Sequence, residues 1–217
     1  MGIEIPLFPL GTVLFPHMPM RLHVFERRYR AMMRSCSELG TSFGIVGIRE
    51  GHAVGRGATP YTIGTLAQIR TFEELDDGTY NLIVSGASRF RVAALATREH
   101  AYPVGDVSYL EDVSGDPAVL HRLAPRVAEA FGQYAQAIGD LSAEAVSELE
   151  LPEDPELLSY LVAASLQVET NHKQDLLEVD SAEERLRGCL KLLRREALLL
   201  DKALARPASR TATISLN

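Results

Sequence analysis

Only two cysteines, Cys36 and Cys189, occur in 217 residues. They lie far apart, each on a predicted helix, and are expected as buried free thiols, neither a disulfide nor a metal pair. No apolar run approaches the roughly 20 residues that a membrane helix needs. The apolar N-terminal stretch is broken by prolines and lacks a basic segment, so a signal peptide is not expected and a cytoplasmic location is. There is no G-x-x-x-x-G-K-[ST] loop to cradle phosphates, and the glycine cluster Gly51 to Gly57 has no lysine after it. The stretch Gly55-Arg56-Gly57-Ala58-Thr59-Pro60 misses the dinucleotide fingerprint at its last position and opens no predicted helix. None of His17, His23, His52, His100, His121 and His172 pairs with another His or Cys at metal spacing. No cofactor, metal or catalytic residue is therefore expected.

Lysine is missing from the first 115 residues, which carry 11 arginines and 12 acids for a net charge of −1. Residues 116–217 carry 11 basic residues, including Lys173, Lys191 and Lys202, against 17 acids, a net −6. The contrast suggests two regions of different character. The absence of a net basic balance argues against a phosphate-tracking protein. Hydrophobic content of 46% is that of a folded chain.

What is present begins with an unusual opening, Ile5-Pro6-Leu7-Phe8-Pro9-Leu10-Gly11-Thr12-Val13-Leu14-Phe15-Pro16. Prolines 6, 9, 16 and 19 fix φ and push their predecessors into extended geometry, which forbids one long helix and predicts short strands with turns between. From Glu26 to Leu39 the period becomes helical, with Tyr29, Met32, Met33 and Cys36 on one face and Gly40 as a C′ residue. Strands are predicted at 42–48, 61–72, 80–85, 89–92 and 102–110. Asp76-Asp77-Gly78 marks a hairpin, and Gly86 a break. In 61–72, strict alternation puts Tyr61, Ile63, Thr65, Ala67 and Ile69 on one face. Six or seven short strands around one helix suggest a small, nearly closed barrel.

Beyond Ser114 the pattern is all helical. Asp116-Pro117 and Asp154-Pro155 start helices, and Pro125 is expected to kink or restart the first. Ser181-x-x-Glu184 is a capping box for the last helix, whose stripe is Leu186, Leu190, Leu193, Ala197, Leu200 and Leu204. The tail from Arg206 is expected to fray.

The opening PLFPL, then VLFP, then Leu22-His23-Val24-Phe25-Glu26-Arg27-Arg28-Tyr29, resembles the N-terminal substrate-binding domain of Lon proteases. Phe43-Gly44-Ile45-Val46, Gly64-Thr65-Leu66-Ala67, Asp77-Gly78-Thr79-Tyr80, Gly86 to Val92 and Lys173 to Glu178 agree with it, to about residue 205. The resemblance implies an α+β fold: an N-terminal PUA-like pseudo-β-barrel with one interposed helix over 1–115, a helical bundle over 116–205, and a flexible tail over 206–217. It implies a non-catalytic module that binds unfolded or partner polypeptides. The Ser-Lys dyad of a full Lon protease is not matched, since Ser165 and Lys173 sit in different predicted segments.

Two surfaces compete for function. Phe8, Leu14, Phe15, Met18 and Met20 lie on or beside proline-bounded turns; packing into the barrel is the plainer expectation for them, and those left exposed would contact peptide. Together with a groove between the two regions they form the expected binding surface. The alternative is PUA-like RNA binding through a strip of Arg70, Arg89, Arg91 and Arg98. Solvated outer-face arginines are the plainer expectation there, because no aromatic stacking array accompanies them.

Overall fold

A computed structural model describes residues 3–51, 59–96, 101–113, 115–142 and 150–204. The expected tail, Arg98 and most of the glycine cluster lie outside these residues. The element order is β1 (Ile3–Leu10), β2 (Pro19–Val24), α1 (Arg27–Leu39), β3 (Phe43–Glu50), β4 (Thr59–Glu74), β5 (Tyr80–Ala96) and β6 (Val104–Tyr109). Four helices follow: α2 (Pro117–Ser142), α3 (Pro155–Ser165), α4 (Thr170–Glu178) and α5 (Ala182–Leu204). The α+β class and its division into strands first and helices after are as the sequence led one to expect.

One six-stranded sheet carries the order β2-β5-β4-β3-β1-β6. A further β5–β6 pairing closes β1, β3, β4, β5 and β6 into a ring, while β2 attaches to the first part of β5 alone. The sheet is thus a pseudo-barrel with one strand outside it. Its interior is filled by Ile5, Leu7, Val46, Phe90 and Val107. The Phe90 ring occupies space that side chains at 44 and 64 would need, since a Cβ built on Gly44 or Gly64 would lie 2.5 or 2.8 Å from its Cζ. Helix α1 packs Tyr29, Met32, Met33 and Cys36 against Phe8, Leu14, Leu22, Val24, Leu82 and Val84. Gly40, at φ 64°, ends it in the left-handed C′ conformation.

One sheet expectation is corrected. Gly86 does not end a strand, because β5 runs unbroken from Tyr80 to Ala96. It is instead a point of close approach, where a Cβ would stand 2.1 Å from the Phe15 carbonyl oxygen. Strand β4 keeps its expected face: Ile63, Thr65 and Ala67 are buried, Ile63 in the core beneath the helices and Ala67 in the core beneath α1, while Leu66 turns to the barrel interior. The register shift between Thr65 and Ala67 places its extra residue on β5, where Arg89 to Gly86 spans three steps against two on β4.

In the helical part, Asp116 accepts from the Ala118 amide at 2.8 Å, Asp154 from Glu156 and Leu157 at 2.7 and 3.1 Å, and Ser181 from Glu184 at 3.3 Å. These satisfy helix-end amides that would otherwise lack partners. Helix α2 runs through Pro125 without restarting. Leu120, Leu123, Ala124 and Val127 are buried on both sides of that proline and hold the two segments in the same core. Leu186, Cys189, Leu190 and Leu193 of α5 complete it.

Candidate functional site

Val13, Phe15 and Ile63 of the sheet region belong to the same apolar cluster as α2, α3 and α5. Strands and helices therefore meet across a filled seam. Polar contacts fasten it: Thr170 Oγ1 donates to Gly11 O at 2.6 Å, and Gln174 Nε2 donates to Ile63 O at 3.0 Å. Arg89, fully buried on β5, donates to Leu177 O and Val179 O at 2.8 and 2.9 Å and pairs with Asp112 and Asp180. Arg185, fully buried on α5, pairs with the same Asp112, donates to Ser159, Leu176 and Val179, and stacks 3.9 Å over the Tyr160 ring. Burial pushes the Tyr160 hydroxyl well above its ordinary pKa, so it stays protonated.

The arginine strip is consequently not a surface. Arg70 and Arg91 are exposed, but Arg89 between them is committed to helix-end carbonyls and two carboxylates. It was expected in solvent. It is enclosed because its face of β5 lies against the α4–α5 connection.

The five apolar residues singled out at the turns divide by depth. Phe8 and Leu14 are buried in the core under α1, Phe8 packing edge-on to Tyr29 at 4.6 Å and to Phe43 at 6.4 Å. Phe15 is fully buried in the seam, 6.3 Å from the Tyr160 ring. Met18 and Met20 alone among the five keep solvent access. Met18 packs against the seam core and Met20 against the core under α1. Between Phe15 and Met18 the chain turns sharply: His17 takes φ 63°, uncommon for a residue with a side chain, and donates to Gly86 O at 3.0 Å.

Next to this turn lies the surface that the sequence reading missed. Beyond Met20, β2 presents Arg21 and His23 outward, beside Thr71 and Glu73 of β4 and Asn81 and Ile83 of β5. These residues line a groove of about 440 Å³. Phe25, half exposed, stacks on the His23 ring at 6.2 Å, and Ile83 is also exposed. Alternation along β2 was the available signal, because Leu22 and Val24 must face inward and so turn Arg21 and His23 out. Its place at the end of the sheet could not be read locally.

No group of three or more potential metal-ligating residues is found among the described residues, and no described helix is long and apolar enough to cross a membrane. Cys36 and Cys189 are both free and buried.

Residues 4–195 match the family described as the ATP-dependent protease La (LON) substrate-binding domain. The chain is similar to the Lon protease of Escherichia coli strain K12, 27% identical over 201 residues that cover 92% of this chain and 26% of that protein. It is 30% identical to the Lon protease of Azorhizobium caulinodans, over 90% of this chain and 23% of that one. It spans about a quarter of the length of these relatives. Among solved structures it resembles a Lon N-terminal domain protein from Xanthomonas campestris, at 28% identity and a TM-score of 0.62, covering 87% of this chain and 98% of that one. The N-terminal domain of a Mycobacterium avium complex Lon protease shares the fold at 18% identity and a TM-score of 0.65, covering 88% and 98%.

Proposed function

The chain belongs to the LON substrate-binding domain family, and from that premise we propose that it is a non-catalytic module that binds protein segments, unfolded ones in particular. One observation carries the reading: the match runs over residues 4–195 and takes in the substrate-binding part of Lon alone, about a quarter of the Lon proteases it resembles. We place it in the cytoplasm, with residues 1–115 and 116–205 as its two subdomains.

In this reading Met18 and Met20 touch the bound segment, with the flexible, polarizable side chains that tolerate varied partners. Phe8, Leu14 and Phe15 act from beneath by holding the turn. Ile83, and Phe25 against the His23 ring, give a second apolar surface on the groove side, the face of β2 opposite Met20.

The test is a fluorescence titration of the chain with a reduced, carboxymethylated protein. Met18→Ala and Met20→Ala are expected to weaken binding with the fold unchanged. Phe15→Ala is expected to act through folding, at about 3–5 kcal/mol for a buried aromatic. Undetectable binding by the wild type sinks the reading.

A further inference from the structure

Among the described residues, strand β2 is the one strand outside the closed ring, and β5 is its only partner. Their register is uninterrupted over six residues, Pro19↔Ser85 to Val24↔Tyr80, whereas β4–β5 and β5–β6 both carry shifts. Which β2 amides face β5 follows from two bonds. The Gly86 amide donates to Met18 O at 3.0 Å. Directly opposed residues alternate between hydrogen-bonded and non-bonded pairs, so Met20, Leu22 and Val24 also point their main chain at β5. The Ile83 amide donates instead to Thr71 Oγ1 on the far side, at 3.2 Å. Its cross-strand partner Arg21 therefore directs its N–H and C=O away from β5, and His23 does the same two residues on. Pro19, which has no N–H, falls in this same outward set, where a missing donor costs the ladder nothing.

We propose that this free edge of β2 receives an extended segment of a bound polypeptide as an additional strand. The proposal rests on the polypeptide-binding reading above and gives it a mode of recognition. Arg21 and His23 offer donors and acceptors at the two-residue spacing that an extended main chain matches and that side chains alone do not. Binding through them is indifferent to most of the ligand's sequence, as a reader of unfolded chains requires. Two features add preference. Arg21 is exposed and has no ion-pair partner among the described residues, which favours an Asp or Glu directly opposite it on the incoming strand. Half-exposed Phe25 continues the edge past Val24 and offers an apolar contact to one end of the segment.

The experiment uses the full chain and three labelled probes: a reduced, carboxymethylated protein, a short Val/Thr-rich peptide with a central Asp, and that peptide N-methylated at alternate residues. The peptide is expected to bind the wild type, and N-methylation to weaken it about tenfold through lost main-chain hydrogen bonds. Arg21→Pro removes an outward N–H without touching the ladder to β5 and is expected to weaken both unmethylated probes by a similar factor. Arg21→Ala is expected to reduce only the preference for Asp over Asn, read with an unlabelled central-Asn version of the peptide as competitor. If the methylated peptide binds as well as its parent, the edge proposal is overturned while the polypeptide reading stands, and this arm decides even if Arg21→Pro misfolds. If no probe binds, both fall. If sedimentation shows a wild-type dimer that Arg21→Pro dissolves, the edge pairs with a second copy and the proposal is likewise overturned.

Discussion

Arg89 and Arg185 meet on one carboxylate. The Nη2 atoms of both lie on Asp112 Oδ1, at 3.1 and 2.8 Å, and both guanidinium groups are shut off from water. One arginine comes from the longest strand and the other from the last helix, so Asp112, on the connection between sheet and bundle, ties the two parts together.

Removing that carboxylate leaves two buried cations short of their counter-charge. Asp112→Ala is expected to lower stability by about 3–5 kcal/mol, the range for breaking a buried pair. Asp180→Ala should lower it much less, because Asp180 is 63% exposed and Arg89 keeps its carbonyl partners. Urea unfolding of the two variants checks the order. Equal losses would contradict the assignment.

Glycine substitutions separate close approach from mere flexibility. Gly86→Ala would drive a methyl group into the Phe15 carbonyl, and Gly132→Ala meets nothing within 4 Å on α2. Gly132→Ala is expected to raise stability by about 0.4–1 kcal/mol, and Gly86→Ala to lower the melting temperature sharply. Thermal unfolding by circular dichroism reads both.

Both thiols are expected to be silent in the native protein. Burial pushes the Cys189 thiol up to about 12 and raises that of Cys36 as well, and the thiolate is the reactive form. A chromogenic disulfide reagent at mildly alkaline pH should label neither until urea is added. Fast labelling without denaturant would contradict the burial.

At the hairpin, hydrogen bonds from the Thr79 hydroxyl and amide hold the Asp77 carboxyl below its usual pKa. A carboxylate depressed in the folded state contributes stability that is present above its unfolded pKa and is lost as pH falls through the lower folded value. NMR titration should find Asp77 below the ordinary carboxylate range, and Thr79→Val should move it up.

The parts of this fold governed by neighbours in sequence could be read from the sequence. The α1 face of Tyr29, Met32, Met33 and Cys36, the Gly40 end, the turn at Gly78 and the caps at Asp116, Asp154 and Ser181 each depend on a few adjacent residues. The parts governed by distant neighbours could not. Gly86 looks like a breaker until Phe15 is brought against it. Arg89 and Arg91 look equivalent until the α4–α5 connection covers one of them. The extra residue in β5 opposite Thr65 and Ala67 becomes visible only once β4 is laid beside it. For the same reason the turns alone do not tell which of Phe8, Leu14, Phe15, Met18 and Met20 pack the core and which face water; the sheet and helices enclose the first three.

The most direct test is equilibrium binding of the full chain to a labelled, permanently unfolded protein, with the label's size followed by gel electrophoresis. Saturable binding that leaves the polypeptide intact and competes with a second unfolded protein is the predicted result. Absence of binding, or cleavage of the polypeptide by the purified chain, would contradict the account.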